Sequence, residues 1–234
     1  MKIPQTDHYF SQRPGSKPRY GLIRVQLRGR FFEFLTASGV FSKKRVDLGT
    51  KLLVESMVLP KSGSVLDLGC GYGPVGVVAA VLNQRLRVFM VDVNERALRL
   101  ARENAKRNNA TNTEFGCGFL YEPVNSMRFD AVLSNPPVSA GMRVVLPIIE
   151  QAPSHLGDNG VLEVVVRSKV GGKRLVKVMG EAFGNVQVLE AVDWYRPRAD
   201  DSEEESLRDI LLHNLYGDYS MLILSQQGSP FYRR

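Results

Sequence analysis

Cysteine, histidine and unbroken apolar runs are scarce in this chain of 234 residues. Its two cysteines, Cys70 and Cys117, make no disulfide framework, and with three scattered histidines they supply no metal-ligand spacing. No metal is therefore expected, and the cysteine usage suits a reducing cytoplasm. No window approaches the roughly eighteen consecutive apolar residues of a membrane-spanning helix, so no membrane association is expected. The opening MKIPQTDHYFSQRPGSKPRY lacks the apolar core of a secretory signal. What the chain does have is 44% apolar residues, enough for a substantial core, and a net charge of +7. That excess of cations suits a polyanion such as nucleic acid without requiring one.

Residues 1–45 read as an appendage. Prolines punctuate its polar start, and Leu22-Ile-Arg-Val-Gln-Leu-Arg28 and Phe31-Phe-Glu-Phe-Leu35 alternate as two strands of a β-hairpin joined at Gly29. Residues 46–234 form the main domain. A helix is predicted over Asp47 to Leu59, ending at Pro60. From Ser64 strands and helices alternate: strands at Val65–Leu68, Leu86–Val91, Thr113–Phe119, Phe129–Ser134 and Val161–Val166, with helices at Val75–Asn83, after Asn94, at Val144–Leu156 and at Lys173–Phe183. Such alternation predicts an α/β fold with a mainly parallel sheet covered on both faces. Val186–Val192 and Tyr219–Leu224 close the chain as strands suited to an antiparallel edge. Between them, residues 193–214 carry the acidic run Asp200-Asp-Ser-Glu-Glu-Glu205 and read as an insertion, with a short helix at Leu207–Leu215.

The first strand leads into Leu66-Asp-Leu-Gly-Cys-Gly-Tyr-Gly-Pro-Val-Gly76, in which Gly71, Gly73 and Gly76 fit G-x-G-x-x-G. Asp92 lies about 20 residues on, where a ribose-binding acid belongs. Taken alone, this is the fingerprint of a nicotinamide dinucleotide site. Asp67 argues otherwise, because a carboxylate at the mouth of the loop repels phosphates and attracts an ammonium. The strand Phe129–Ser134 ends in Asn135-Pro136-Pro137-Val138. Prolines terminate a strand by themselves, but they also leave one amide side chain at the strand end.

The series Asp67-Leu-Gly-Cys-Gly-Tyr-Gly, Asp92 and Asn135-Pro-Pro-Val resembles class I S-adenosylmethionine-dependent methyltransferases, and more narrowly the small-domain methyltransferase family. His8-Tyr-Phe-Ser11, Ser38-Gly-Val-Phe-Ser42, Val46-Asp-x-Gly-Thr-Lys-x-Leu53 and Gly217-Asp-Tyr-Ser-Met-Leu-Ile extend the likeness to archaeal members over nearly the whole chain. The resemblance implies a Rossmann-like, seven-stranded sheet and S-adenosylmethionine as cofactor. It places Gly69, Cys70, Gly71 and Gly73 against the methionine part, Asp67 on the ammonium side, and Asp92 with Val93 at the ribose. Asn135 and the carbonyl of Pro136, held by Pro137, would grip the amino group to be methylated. Two positions depart from the family pattern. Phe119 stands where relatives often bind the adenine amine with Asp, and Val138 where many have a stacking Tyr or Phe.

Two acceptors on one exocyclic nitrogen would favour a pyramidal geometry with the lone pair aimed at the methyl group, by positioning rather than covalent chemistry. A base inside a duplex cannot reach such a site, so the target would be unpaired or flipped out. Lys43-Lys-Arg45, and Arg167 with Lys169, Lys173 and Arg174, are candidates for RNA contact. Arg96, Arg99, Arg102 and Lys106 suit a solvated helix face. Methylation of guanine N2 in ribosomal or transfer RNA is the favoured activity. Adenine N6 or a protein glutamine is an alternative substrate, and a nicotinamide oxidoreductase or a noncatalytic RNA-binding protein a more distant one.

Overall fold

The computed structural model describes residues 15, 17–137, 141–167, 172–190 and 219–226. Strands β1 (Tyr20–Leu27) and β2 (Arg30–Ala37) form an antiparallel hairpin, and both turn residues, Arg28 and Gly29, adopt positive φ, as a two-residue hairpin turn requires. Helix α1 (Leu48–Ser56) follows, N-capped by Asp47. It stops short of the predicted end at Leu59, because the chain turns extended at Met57 and the N–H of Val58 donates to buried Glu163, 3.1 Å away.

Five parallel strands come next: β3 (Gly63–Leu68), β4 (Leu86–Asp92), β5 (Thr113–Cys117), β6 (Phe129–Ser134) and β7 (Leu156–Arg167). Between them run α2 (Pro74–Leu82), α3 (Glu95–Arg107), a short 3-10 turn at Glu122–Val124 and α4 (Met142–His155). Helix α5 (Gly172–Phe183), β8 (Gly184–Glu190) and β9 (Tyr219–Gln226) complete the described chain. The seven-stranded order is β5-β4-β3-β6-β7-β9-β8. The antiparallel strand is β9, and it lies one place in from the edge: it pairs with both β7 and β8, leaving β8 outermost. The acidic insertion at 193–214 lies outside the described residues. No described helix is long and apolar enough to cross a membrane.

Alternate side chains of each central strand serve two separate cores, as the period of two demands. Val65, Val88, Met90, Ala131 and Leu133 pack on one face with α1, α2, α3 and the hairpin's Ile23, Phe32 and Phe34. Leu66, Leu68, Phe89, Val91 and Val132 pack on the other with α4 and Met179 and Phe183 of α5. The chain builds β3, β4 and β5 in one direction and returns through β6 in the other, so the sheet reverses its winding between β3 and β6. In open α/β sheets the crevice beyond the strand ends at that reversal is where ligands bind.

Candidate active site

Beyond the ends of β3, β4 and β6 lies a cleft with about 980 Å³ of empty space, counting the part open to solvent. The glycine loop forms its floor. Gly69, Gly71 and Gly73 have φ of 76°, 58° and 88°, values that only glycine adopts readily. The N–H groups of Gly69 and Cys70 both donate to the Val91 carbonyl, at 2.8 and 2.9 Å, tying the loop to the end of β4. A Cβ at Gly69 or Gly71 would meet nothing within 4 Å, so here bare backbone faces open space. Gly73 behaves differently from its expected partners: it does not line the cleft, and its Cβ would sit 3.1 Å from Cβ of Ala101 on α3. Gly76 likewise serves packing, with Met90 Cγ at 2.7 Å from a Cβ there.

Two carboxylates, Asp67 buried and Asp92 half-buried, brace this floor. Asp67 Oδ2 accepts from the N–H of Gly76 at 2.8 Å, holding the first turn of α2 against β3. Burial pushes its carboxyl up to about 7; the Gly76 bond works against this and the charge of Asp92 adds to it. Asp92 uses both oxygens, Oδ2 accepting from Gly71 N–H and Oδ1 from Asn94 N–H, each at 2.8 Å. Burial raises its carboxyl too, against the backbone bonds from Asn94, Gly71 and Val93 that lower it. The cap of α3 is Asn94, whose Oδ1 accepts from the N–H groups of Arg96 and Ala97. Asp92 is thus not needed to cap the helix, and with Val93 it lines the cleft. Burial, then Asp92 and Asp67, push the Cys70 thiol well up, so it stays protonated.

Asn135, Pro136 and Pro137 form the opposite wall at the end of β6, where Ser134 Oγ donates to the Leu68 carbonyl at 2.8 Å and clasps β6 to β3. Asn135 Nδ2 donates to Thr50 Oγ1 at 2.9 Å and to Asp47 Oδ1 at 3.1 Å. The segment from Ser38 to Asp47 therefore straps the cleft. At one end Arg96 and Asn94 donate to the carbonyls of Ser38 and Gly39, at 2.7 and 2.9 Å; at the other, Asp47 meets Asn135. Arg96 departs from the expected solvated face: it is buried, while Arg99, Arg102 and Lys106 are exposed. Between the anchors Val40 and Phe41 line the cleft, and Lys43, Lys44 and Arg45 stand exposed.

Phe119 follows β5 at the far end, 45% exposed, its N–H donating to Glu122 Oε2. It lines the cleft through backbone or ring, since no carboxylate stands at that position. Val138 and Lys169 lie outside the described residues, as does the side chain of Arg167, whose backbone ends β7. Sequence reasoning passed over Asp47, Thr50 and Phe41 as site residues. The signal for Asp47 and Thr50 lay in Val46-Asp-x-Gly-Thr, an Asp N-cap whose carboxylate accepts from Thr50 three residues on, at the head of α1.

The described lining contains three aspartates, Asp47, Asp67 and Asp92, and no lysine or arginine. Such a wall attracts a cation and offers nothing to a pyrophosphate.

Comparison with known proteins agrees with this geometry. The family model described as "Methyltransferase small domain" matches residues 32–196. An uncharacterized Bacillus subtilis protein, YbxB, is 38% identical over 192 residues, 81% of this chain and 96% of its own length. Ribosomal RNA small subunit methyltransferase C of Hamiltonella defensa is 33% identical over 73% of this chain, which spans only 48% of that relative's length. Among solved structures, a Thermus thermophilus 16S rRNA N2 methyltransferase (RsmC), in complex with AdoMet and guanosine, superposes with a TM-score of 0.69. It is 21% identical and covers 92% of this chain and 52% of its own, a likeness of fold. With a family model that spans most of its length and a full-length relative above a third identical, the chain belongs to the methyltransferase small domain family.

Proposed function

We propose that this chain is a cytoplasmic S-adenosylmethionine-dependent methyltransferase acting on RNA, transferring a methyl group directly to the exocyclic N2 amino group of a guanine. The observation that carries this reading is the single cleft joining the glycine loop and Asp92 to Asn135 and Pro136.

The residues fit the cofactor. Open space beside Gly69 and Gly71 is where a Cβ would obstruct a ligand lying on the backbone. Asp92 stands at the end of β4, suited to accept from two ribose hydroxyls, and Phe119 offers a ring face beyond it. Asp67 and Asp92, on the glycine-loop side, suit an ammonium and a sulfonium, whereas a nicotinamide dinucleotide would find its phosphates among carboxylates. When bound, S-adenosylmethionine supplies a methyl group activated on sulfur.

The chain's own work is to bind and orient the acceptor. The Asn135 carbonyl and that of Pro136 take the two N–H groups of the amine, and the prolines fix the second acceptor by restricting the backbone. The product nitrogen releases its proton to water; the nearby carboxylate of Asp47 is engaged by the Asn135 amide and by Thr50. Val138 offers no ring to stack on a base; Phe41, 37% exposed on the same cleft, does. Exposed Lys43, Lys44 and Arg45 on the strap would meet phosphates, in keeping with the net charge of +7. Guanine in ribosomal RNA is favoured by the names of the curated relatives and by the guanosine bound to the structural neighbour.

Thermal unfolding tests the cofactor half of this reading. At about 100 times its Kd, S-adenosylmethionine should stabilise by about 2.7 kcal/mol. NAD at equal concentration should leave the midpoint in place. Stabilisation by NAD alone would return the glycine loop to its dinucleotide interpretation.

A further inference from the structure

An asparagine amide is nearly symmetric in shape and opposite in chemistry at its two ends, one accepting and the other donating. An amine substrate needs the accepting end. Left without partners, the group could rotate and present its NH2 to the cleft, a geometry that repels another donor. In this chain the choice is made by α1. Asp47, as a carboxylate, only accepts, so the end of Asn135 lying 3.1 Å from its Oδ1 must be the NH2. Thr50 directs its own hydroxyl hydrogen to Asp47 Oδ2 at 2.5 Å, which leaves its oxygen to accept from Asn135 at 2.9 Å. The N–H of Thr50 holds Asp47 Oδ1 at 3.1 Å, and Asp47 is anchored as the helix cap. Both donors of the Asn135 amide are thereby consumed on the strap side.

We propose that Asp47 and Thr50 are positioning residues that lock Asn135 with its carbonyl toward the substrate and so select an acceptor group that carries N–H donors. The proposal rests on the methyltransferase reading of the cleft. The anionic partner adds an electrostatic effect: a carboxylate against the NH2 end polarises the amide and strengthens the hydrogen bond its oxygen accepts. Thr50 is buried and Asp47 half-buried, so water screens this little.

The test uses Asp47→Asn, which keeps a competent helix cap and removes the obligatory acceptor. Thr50→Val removes the hydroxyl at nearly constant shape, and Thr50→Ser retains it. Turnover is expected to fall about 10–100-fold in Asp47→Asn and Thr50→Val, the scale of a misplaced reacting group, while Thr50→Ser stays within about three-fold of the parent. Affinity for S-adenosylmethionine should be unchanged. A second readout needs no activity: the side-chain amide signal of Asn135 in nitrogen-15 spectra, assigned by its disappearance in Asn135→Asp. It should exchange slowly with solvent in the parent and rapidly in Asp47→Asn and Thr50→Val. An exchange rate that is the same in all three proteins overturns the lock. Loss of cofactor affinity that matches the loss of turnover overturns it too, and assigns Asp47 and Thr50 to the cofactor instead. If the parent methylates no RNA, the functional reading fails while amide exchange still decides the lock.

Discussion

Asn104 on α3 holds both backbone groups of Leu35 on β2, accepting its N–H at 2.6 Å and donating to its carbonyl at 2.9 Å. A third bond of the same amide, its second as donor, reaches the Tyr72 carbonyl in the glycine loop, at 2.8 Å. Asn108, one turn later, repeats the arrangement on Glu33. A helix face thus imitates a neighbouring strand, satisfies the hairpin's outer edge and blunts it against pairing with other chains. Asn104 is fully buried, so removing it strands several polar groups at once. Asn104→Leu is expected to cost about 2–3 kcal/mol. For a domain of this size the melting midpoint should drop by about 4–12 °C, measured by calorimetry.

Gly71 and Gly76 belong to one motif but should fail in different ways. A methyl at Gly76 meets buried Met90, so Gly76→Ala should destabilise by about 1–3 kcal/mol through overpacking. At Gly71 the methyl enters open cleft and the backbone sits at φ 58°, so Gly71→Ala should weaken cofactor binding beyond its modest strain. Unfolding curves paired with titration calorimetry separate the two losses.

Much of this site could be read directly from the chain. The glycine loop, Asp92 and Asn135-Pro-Pro each sit at the end of a strand whose apolar pattern is unmistakable, and strand ends in a parallel sheet converge. Asp47 and Asn135 could not be paired that way, because 88 positions separate them and only the packing of α1 over β7, the strand next to β6, brings them together. Arg96 looked like one more helix-surface cation, yet the strap covers it and supplies the Ser38 carbonyl as its partner. The place of β9 was equally hidden: an alternating strand carries no mark of whether it pairs on one side or two.

The elevated carboxyl of Asp67 sets a pH dependence. Its folded value of about 7 lies above the ordinary 3.8, so between those values the folded chain keeps a proton that the unfolded chain has lost. Stability of the ligand-free protein should therefore fall as pH rises from about 4 to 7 and then level off. A cation in the cleft favours the ionised form, so S-adenosylmethionine should bind more tightly as pH rises through the same window. Asp67→Asn keeps an acceptor for Gly76 N–H and should flatten both slopes. Urea unfolding and calorimetric titration across pH 5 to about 8 measure them.

Asn135→Ala removes the acceptor and leaves the glycine loop and Asp92 intact. Turnover should fall by about two orders of magnitude or more, with cofactor affinity within about two-fold of the parent. Equal losses in both would move Asn135 from the substrate to the cofactor.

The central claim is tested most directly by incubating the protein with labelled S-adenosylmethionine and total RNA from cells lacking it, then digesting the RNA to nucleosides. Label in N2-methylguanosine is the predicted result. Label in N6-methyladenosine, or in protein with none in RNA, would contradict the assignment of guanine as the acceptor.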